Sequence, residues 1–393
     1  MLVSSRGKII EFWSRAHTGP ICFAQDFDTK VYWPKLKAIT KKWGITYDPS
    51  QMIPCDDDLL DRLWRAAIEM VLEVGVLCTD TQRLITFTEQ EVMDVIDKYD
   101  YTPNAFARGM GLHSLKTIGI LCADSSDLFL AKAVYFLEQE LQANGYESLL
   151  CCTGYNLDIK KNYLNLILSK KVDSIILVGS NFIGSTEDEN QYIKDVSTQV
   201  PIMLLNASFD YPNVYSTLCD DYGTMFEATA EMIQAGITDI LYLYDSKSYS
   251  GLKKLHGFRD AMKEHNIPGF EKLIHFYDGN IEHLDEIADF VADIAKKGAS
   301  FHGIMTSDDS LAIGSIKYAQ KKGIRIPEDL SVMGYNNSML TNCCTPELTS
   351  VDNRLETQTH QLVQTLLGVL AGEEMPKKSI FSGKIIKRGT TLF

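Results

Sequence analysis

The sequence of 393 residues lacks a long apolar run. No stretch approaches the ~20 consecutive apolar residues that are needed to cross a bilayer. The opening segment MLVSSRGKIIEFWSRAH is interrupted by Arg6, Lys8, Glu11 and Arg15, whereas a secretory signal needs an uninterrupted apolar core. We therefore expect a cytoplasmic protein that does not contact the membrane.

Cysteine is present, but in no metal-binding pattern. The nine Cys residues include the adjacent pairs Cys151-Cys152 and Cys343-Cys344, and no CxxC pair or zinc-type Cys/His spacing occurs. Structural zinc sites depend on such spacings. The pattern predicts reduced, mostly buried thiols and no metal site.

Positive charge is also scarce. The formal net charge is −14, and the first hundred residues hold 12 Lys/Arg and 16 Asp/Glu, which gives 12 − 16 = −4. Nucleic-acid binding needs local positive charge that displaces counterions from phosphates. The first hundred residues are therefore not a basic DNA-reading region, although an acidic chain can still carry one elsewhere.

The common catalytic patterns are missing as well. There is no GxSxG, Walker A or HExxH sequence. The glycines of GMGLHSLKTIG precede a predicted strand, whereas a dinucleotide-binding loop must follow one. His256 is interpreted as an exposed helix residue, and the carboxylates of Asp308 and Asp309 should point in different directions. We predict no enzymatic activity and no cofactor.

From residue 117 onward, short apolar runs alternate with amphipathic segments. TIGILCA, SLLCC, SIILVGS and DILYLYD are typical of buried strands, and FLAKAVYFLEQELQANG places apolar residues at helical spacing. This alternation predicts parallel sheets covered by helices on both faces. We expect two α/β subdomains with a hinge near Asp220-Asp221, a ligand site in the cleft between them, and a pair of strands in SIFSGKIIKRGTTL.

The first hundred residues follow a different pattern, which is mainly helical. Helices are predicted near 30–43, 56–75 and 89–99. The acidic run Asp56-Asp57-Asp58, directly after Pro54 and Cys55, is typical of a helix start because carboxylates stabilise the helix dipole there.

Residues 101–393 resemble the LacI family of transcriptional regulators. The resemblance is carried by YTPNAFARGM, TIGILCADSSDLFLA, KKVDSIILVGS, HGFRDAM, SDDSLAIGSIKYAQKKGIRIPEDLSVMGYNN, TPELTSV and KRGTT, in this order. It implies two Rossmann-like lobes of the periplasmic-binding-protein type, which sense a small sugar-like effector. It also implies a homodimer, because the family pairs through these lobes.

The region before about residue 95 resembles another protein, the N-terminal part of monomethylamine methyltransferase. The resemblance is carried by FWSRAHTGPICFAQDFD and by the stretch from KLKAITKKWGITYDPS to LITFTEQEV. The catalytic barrel of that enzyme would follow, and it is absent here, so no methyl-transfer chemistry is implied. We expect a fusion with three parts: residues 1–95, a hinge at 96–116, and a sensing body at 117–393 whose first crossover lies near 217–221.

The hinge resemblance assigns DNA-contacting roles to three residues. Met110 corresponds to the apolar wedge that enters the minor groove, Asn104 would cap the hinge helix, and Arg108 would approach a phosphate. Gly109 weakens a short helix by up to about 1 kcal/mol relative to Ala. A helix that merely links two domains is the alternative interpretation.

In the cleft, the resemblance implies a set of ligand contacts. Carboxylates can accept hydrogen bonds from hydroxyl groups, and an aromatic ring can stack on a sugar face. For Asp309 the alternative is a helix-start residue, and for the two asparagines it is a turn. The predicted ligand residues are Asp124, Ser126, Phe129, Asn206, Lys254, Asp309 and Asn336.

The sequence thus favours a ligand-responsive regulator of the LacI type, with two alternatives. One is an effector sensor that no longer binds DNA, since the usual reading head is replaced. The other is an accessory protein of methylamine metabolism that recognises a partner, such as a corrinoid protein, through residues 1–95. The acidic N-terminal region supports both alternatives, whereas PNAFARGM supports binding to operator DNA.

Overall fold

The computed structural model describes residues 5–46, 57–98 and 115–393. The chain divides into two compact units, Met1–Leu115 and Lys116–Phe393. Within the described residues, no helix is both long enough and apolar enough to cross a bilayer.

The N-terminal unit is mainly helical, as predicted, and contains one small hairpin. Arg15 of the first helix is bound by both carboxylate oxygens of Glu91 in the last one, at 2.6 and 2.9 Å. Thr88 and Glu91 cap that last helix by exchanging backbone and side-chain hydrogen bonds. The elements are α1 (Ser5–Thr18), α2 (Ala24–Asp26), a π-helical turn (Phe27–Tyr32), α3 (Trp33–Lys42), α4 (Asp57–Val74), β1 (Val76–Cys78), β2 (Arg83–Ile85) and α5 (Glu89–Lys98).

The C-terminal unit consists of two α/β lobes. The first lobe opens with β3 (Thr117–Cys122), α6 (Leu128–Ala143), β4 (Glu147–Cys152), α7 (Leu157–Ser169), β5 (Ser174–Val178), α8 (Glu187–Ser197), β6 (Ile202–Leu205) and β7 (Val214–Cys219). The second lobe follows with α9 (Asp221–Gln234), β8 (Ile240–Tyr244), α10 (Tyr249–Glu264), β9 (Ile274–Phe276), α11 (Leu284–Lys296), β10 (Gly303–Thr306), α12 (Asp309–Lys322), β11 (Ser331–Tyr335) and β12 (Thr349–Asp352). The remaining elements are α13 (Leu355–Leu370), β13 (Lys378–Phe381) and β14 (Lys384–Ile386).

Each lobe has a six-stranded sheet. The order is β13-β7-β6-β5-β3-β4 in the first lobe and β14-β12-β11-β10-β8-β9 in the second. All pairs are parallel except β12 with β14. The mixed α/β architecture with helix-covered parallel sheets is therefore confirmed.

The chain passes between the lobes three times. It leaves the first lobe after β7, returns after β12 so that α13 packs on the first lobe, and crosses again between β13 and β14. Both strands predicted in SIFSGKIIKRGTTL form, but they do not pair with each other, because β13 pairs with β7 of the first sheet and β14 with β12 of the second. Residues 382 and 383 are enough to carry the chain from one sheet to the other.

Each sheet has an apolar core on both faces. In the first lobe, Ile120 and Leu362 belong to the core on one face, and Leu121 and Ile193 to the core on the other. The second lobe has the same arrangement. Side chains alternate between the faces of a strand, so strands that are buried on both sides read as continuous apolar runs.

Several helices begin at residues whose side chains satisfy free backbone N–H groups. Thr186 and Glu189 form a complete capping box at α8. The same kind of bond fixes the starts of α6, α7, α9, α10 and α12, where the capping residues are Asp127, Asn156, Asp220, Ser248 and Asp308. Each of these residues lies in a connection between a strand and the helix that follows it, so the caps place polar side chains near the carboxyl ends of the sheets.

Candidate functional site

Two serine hydroxyls join the lobes at the carboxyl ends of their strands. Ser180, just after β5, donates to Oγ of Ser248, at 2.8 Å, and Ser248 precedes α10 of the second lobe. The Ser246 hydroxyl also donates to Ser248, at 2.9 Å. Connections that follow strands of both sheets therefore meet at this contact, and the region around it is called the interlobe space.

The loop after β3 supplies carboxylates from the first lobe. Asp124 Oδ1 accepts bonds from the backbone N–H and the hydroxyl of Ser126, both at 2.8 Å, and these bonds lower the pKa of Asp124. Asp127 caps α6 by accepting from Leu130 N at 2.8 Å, and burial raises its pKa. Phe129 lies half-buried against the core of the lobe. This loop and the first turn of α6 contain three of the predicted ligand residues, Asp124, Ser126 and Phe129.

The second lobe contributes two further carboxylates from adjacent strands. Asp245 follows β8 and accepts from the Ser307 hydroxyl at 2.7 Å. Asp308 follows β10 and accepts from Asn336 Nδ2 at 2.9 Å. Burial, and then the negative charge of Asp245, raises the pKa of Asp308. Asp245 also raises the pKa of Asp127 in the first lobe, so carboxylates from both lobes lie close enough to influence one another.

Asp309 is turned away from its neighbour, as expected for adjacent residues at a helix start. Its side chain is only 1% exposed and accepts from Ser350 Oγ and from Ser338 N, both at 2.6 Å. A Cβ atom at Gly334 would collide with Asp309 Oδ1. Burial raises the pKa of Asp309 to about 6. In this conformation its carboxylate joins α12 to β12 and to the loop after β11, while the partly exposed Asp308 faces the other carboxylates.

Lys254 also lies inside the second lobe. It is 7% exposed, donates to Ser307 O at 3.0 Å, and lies 3.9 Å from the centroid of the Tyr335 ring. The Tyr335 hydroxyl donates to Asp221 Oδ1 at 2.7 Å, and Ser250 donates to Oδ2 at 2.5 Å. Burial raises the pKa of Asp221 against the opposing charge of Lys254. The lysine is therefore part of a buried network at the first crossing between the lobes.

Both predicted asparagines have left-handed backbone conformations. Asn206 follows β6 with φ +64°, and Asn336 follows β11 with φ +94°. Asn tolerates this region better than most residues. Asn336 also accepts from Asn353 Nδ2 at 3.1 Å. Both residues therefore act as turns at strand ends, and the Asn336 side chain also donates to Asp308.

Several polar residues of the interlobe space were not predicted from the sequence. Their position shortly after an apolar run could have identified these residues in the sequence. Ligands of parallel sheets bind beyond the carboxyl ends of the strands. These residues are Asp127, Asp245, Ser246, Asp308, Ser180 and Ser248.

The three hinge residues Asn104, Arg108 and Met110 lie outside the described residues. Within the described part of the chain, no group of three or more His, Cys, Asp or Glu side chains could hold a metal ion. A cavity of about 310 Å³ lies elsewhere in the second lobe, lined among others by Phe301, His302 and Tyr318. It is at the amino end of β10, away from the carboxylates.

Comparisons with known proteins give the same picture of the body. A family model described as a periplasmic binding protein-like domain matches residues 229–391. The crystal structure of the Escherichia coli repressor AscG superimposes with a TM-score of 0.62 and 25% identity, covering 70% of this chain and 99% of that one. A sugar-binding LacI-family regulator from Escherichia coli, crystallised with phosphate, gives 0.62 and 26%, covering 70% and 98%.

An HTH-type transcriptional regulator of Lachnoclostridium phytofermentans is 48% identical over 306 residues, which are 78% of this chain and 91% of the relative. The chain belongs to the LacI family of transcriptional regulators. Its body is similar to the effector-binding bodies of these regulators. Residues 117–393 number 393 − 116 = 277, so at least 306 − 277 = 29 aligned residues precede residue 117. The LacI-family similarity therefore extends in front of the body.

The N-terminal region of this LacI-family protein matches a second family model. That model, described as monomethylamine methyltransferase MtmB, covers residues 8–118. The predicted resemblance of this region is confirmed, and the match continues past residue 95.

Proposed function

We propose that this regulator binds a small polyhydroxylated effector, a sugar or sugar derivative, between its two lobes. The observation that carries the proposal is the convergence of carboxylates and hydroxyls from both sheets at the Ser180–Ser248 contact. Carboxylates accept hydrogen bonds from sugar hydroxyls in well-defined directions. The sugar-binding regulator from Escherichia coli with a similar body supports the same class of ligand.

The partly exposed carboxylates are assigned the direct contacts. Asp245 and Asp308 in the second lobe, and Asp124 in the first, would accept effector hydroxyls, with Ser126 as a further polar contact. Phe129 would stack on the apolar face of the ring. Asn206 and Asn336 would complete the polar rim. Asp309 and Lys254 would support the ligand contacts without touching the effector themselves, because their charged groups are already hydrogen-bonded within the protein.

Calorimetric titration of the full chain with a panel of neutral mono- and disaccharides tests this assignment. With a sugar that binds, Asp245→Asn and Asp308→Asn should each weaken binding by about tenfold or more, since hydrogen bonds to charged groups contribute about 1.5–3 kcal/mol. Asp293→Asn is the matched control, because Asp293 is exposed and pairs with Lys296 of its own helix. Equal effects of all three substitutions would contradict the assignment.

We further propose that the effector controls binding to operator DNA through a homodimer. Lobe closure would alter the geometry of the paired hinge, and the effector can shift this equilibrium only by its different affinity for the two forms. The aligned residues in front of the body support a retained hinge. Asn104, Arg108 and Met110 would cap the hinge helix, contact phosphate and wedge into the minor groove.

Fluorescence anisotropy with mixed-sequence duplex DNA, titrated in salt, tests DNA binding. Affinity that falls steeply with salt would demonstrate phosphate contacts, and its loss in Met110→Ala would place the hinge in the groove. The net charge of −4 over residues 1–100 supports the competing view of a sensor without DNA binding. Absence of binding at low salt would favour that view.

The match to the methyltransferase model supports a second candidate function, partner recognition by the N-terminal unit. Large apolar side chains are exposed there, including Trp13 at 68% and Trp33 at 54%. Co-elution of the full chain with the corrinoid protein of methylamine metabolism, lost in a Trp13→Ser/Trp33→Ser variant, would support it. Separate elution would leave the effector sensor as the only candidate.

A further inference from the structure

Two cysteines lie side by side at the end of the first lobe's sheet. Cys122 is the last residue of β3 and Cys152 the last of β4, and the two are direct register partners in this parallel pair. Their Sγ atoms are 3.8 Å apart. Register partners project from the same face of a sheet, so both thiols point to one side.

The backbone already has the spacing that a disulfide requires. Neighbouring strands lie about 4.8 Å apart, and the Cα atoms of bonded cysteines are usually about 4.4 to 6.8 Å apart. The sulfur atoms must approach from 3.8 Å to about 2 Å. Thr153 N donates to Cys122 O at 2.9 Å, and Gly154 N to Ala123 O at 2.8 Å. These bonds hold the two strand ends together, so the approach requires side-chain rotation rather than separation of the strands.

The two thiols differ in accessibility. Cys152 is exposed on β4, which is the edge strand of the sheet, whereas Cys122 is fully buried. Burial raises the pKa of the Cys122 thiol, which makes it a poor first nucleophile. A reagent from solution reaches Cys152 first, and Cys122 lies in position to complete the reaction.

We propose that Cys122 and Cys152 form a thiol modification site, which low-molecular-weight disulfides convert to an intrachain disulfide. The Cys152 thiolate attacks one sulfur of the reagent, forms a mixed disulfide and releases one thiolate. The Cys122 sulfur, after losing its proton to solvent, attacks Cys152 Sγ and displaces the second thiolate. Two protein thiols are oxidised, one reagent disulfide is reduced to two thiols, and no further reactant is needed.

The site has a clear connection to the interlobe space. Asp124 lies two residues after Cys122, and its loop carries Ser126. A bond between Cys122 and Cys152 would restrict the motion of the strand end at which this loop begins. Disulfides in cytosolic proteins are usually transient and redox-sensing. A disulfide whose formation begins at one accessible thiol, Cys152, agrees with that behaviour. This consequence for effector binding depends on the proposed function, but formation of the disulfide does not.

The test uses the full chain, reduced and then incubated with oxidised glutathione. The reaction is quenched with acid, free thiols are alkylated under denaturing conditions, and unreduced peptides are analysed by mass spectrometry. We expect the nine thiols to fall by two, with a peptide pair joined through Cys122 and Cys152. Non-reducing electrophoresis should show a single-chain species.

Three variants sharpen the result. Cys152→Ser should prevent the loss of both thiols, and because this residue is exposed, the substitution should not disturb folding. Cys122→Ser should stop the reaction at a stable glutathione adduct on Cys152. Cys151→Ser is the matched control, since Cys151 packs on the opposite face of β4, and it should react like the parent protein.

Four outcomes would overturn the proposal. They are an unchanged thiol count, a stable glutathione adduct on Cys152 of the parent protein, a linkage between Cys151 and Cys152, and a Cys152–Cys152 bond between two copies of the chain. The bond between two copies would appear in non-reducing electrophoresis as a dimer band that disappears after reduction. None of these outcomes bears on sugar binding, so failure here is distinguishable from failure of the proposed function.

Discussion

The Ser180 hydroxyl of the first lobe donates to Ser248 of the second at 2.8 Å. The bond spans the space in which the carboxylates of both lobes converge. The presence of this bond therefore shows that the two lobes are in contact.

Ser180→Ala should weaken this contact. Loss of one hydrogen bond between neutral groups costs about 1 kcal/mol, so the amides at the start of α10 should exchange about fivefold faster in hydrogen-exchange mass spectrometry. Ser169→Ala is the control, because the Ser169 hydroxyl bonds within its own lobe, to Leu166 O. Equal acceleration in both variants would mean that the interlobe bond has no specific effect.

Lys254→Met should strongly destabilise the second lobe. It leaves the buried carboxylate of Asp221 without its nearby positive charge, and a buried charge left uncompensated typically costs about 3–5 kcal/mol. Urea unfolding would measure the loss. The double variant Lys254→Met/Asp221→Asn should recover part of it, because no unpaired charge remains. A loss below about 1 kcal/mol in the single variant would show that Lys254 is dispensable for stability.

Asp309 should make stability depend on pH in the mildly acidic range. Its pKa in the folded state is about 6, above the ordinary value of about 3.9. The folded state therefore holds the proton more tightly, and this contribution to stability falls as the pH rises from about 4 to about 6. Its size is on the order of 3 kcal/mol, because each pKa unit corresponds to about 1.4 kcal/mol.

Asp309→Asn should remove this pH dependence and lower stability. One of the two groups that donate to Asp309, Ser338 N–H or Ser350 O–H, would face the amide NH₂ instead of an acceptor. Such an unsatisfied buried group costs about 1–3 kcal/mol. Urea unfolding of both proteins between pH 4 and 7 would measure the difference. Parallel pH profiles would contradict the assignment.

In the N-terminal unit, Glu91→Gln should weaken the packing of α5 on α1. The Arg15 guanidinium holds the pKa of Glu91 down to about 2, so the bond stabilises the fold above about pH 4.5 and is lost as the pH falls toward 2. The Glu91 side chain is 39% exposed, which limits the effect to about 1 kcal/mol. Glu89→Gln, on the same helix, is the control in acid unfolding monitored by circular dichroism.

The fold was predictable because its strands are apolar on both faces. TIGILCA, SIILVGS and DILYLYD form β3, β5 and β8, and their alternation with helices indicated parallel sheets. Helix α8 was missed because EDENQYIKDVS is mostly polar and only Tyr192, Ile193 and Val196 reach the core. The separation of β13 from β14 depends on long-range pairing that local sequence patterns do not contain.

The interlobe space was predictable only in outline. Strand ends located the polar residues, but the orientation of each side chain depends on its tertiary neighbours. Ser350 and the close approach of Gly334 turn Asp309 inward and leave Asp308 facing outward. Tyr335 likewise holds Lys254 inside the lobe. Neither partner lies near its residue in the sequence.

The three passages of the chain between the lobes limit how this gene can recombine. Neither lobe is formed by one continuous stretch of sequence. Helix α13 and strand β13 belong to the first lobe but follow most of the second lobe in the chain. A breakpoint between residues 221 and 381 would leave both lobes incomplete. A breakpoint before Thr117 leaves the entire body in one piece, and the match to the methyltransferase model ends at residue 118. Exchange of the front segment is thus the rearrangement that the architecture of the body tolerates best.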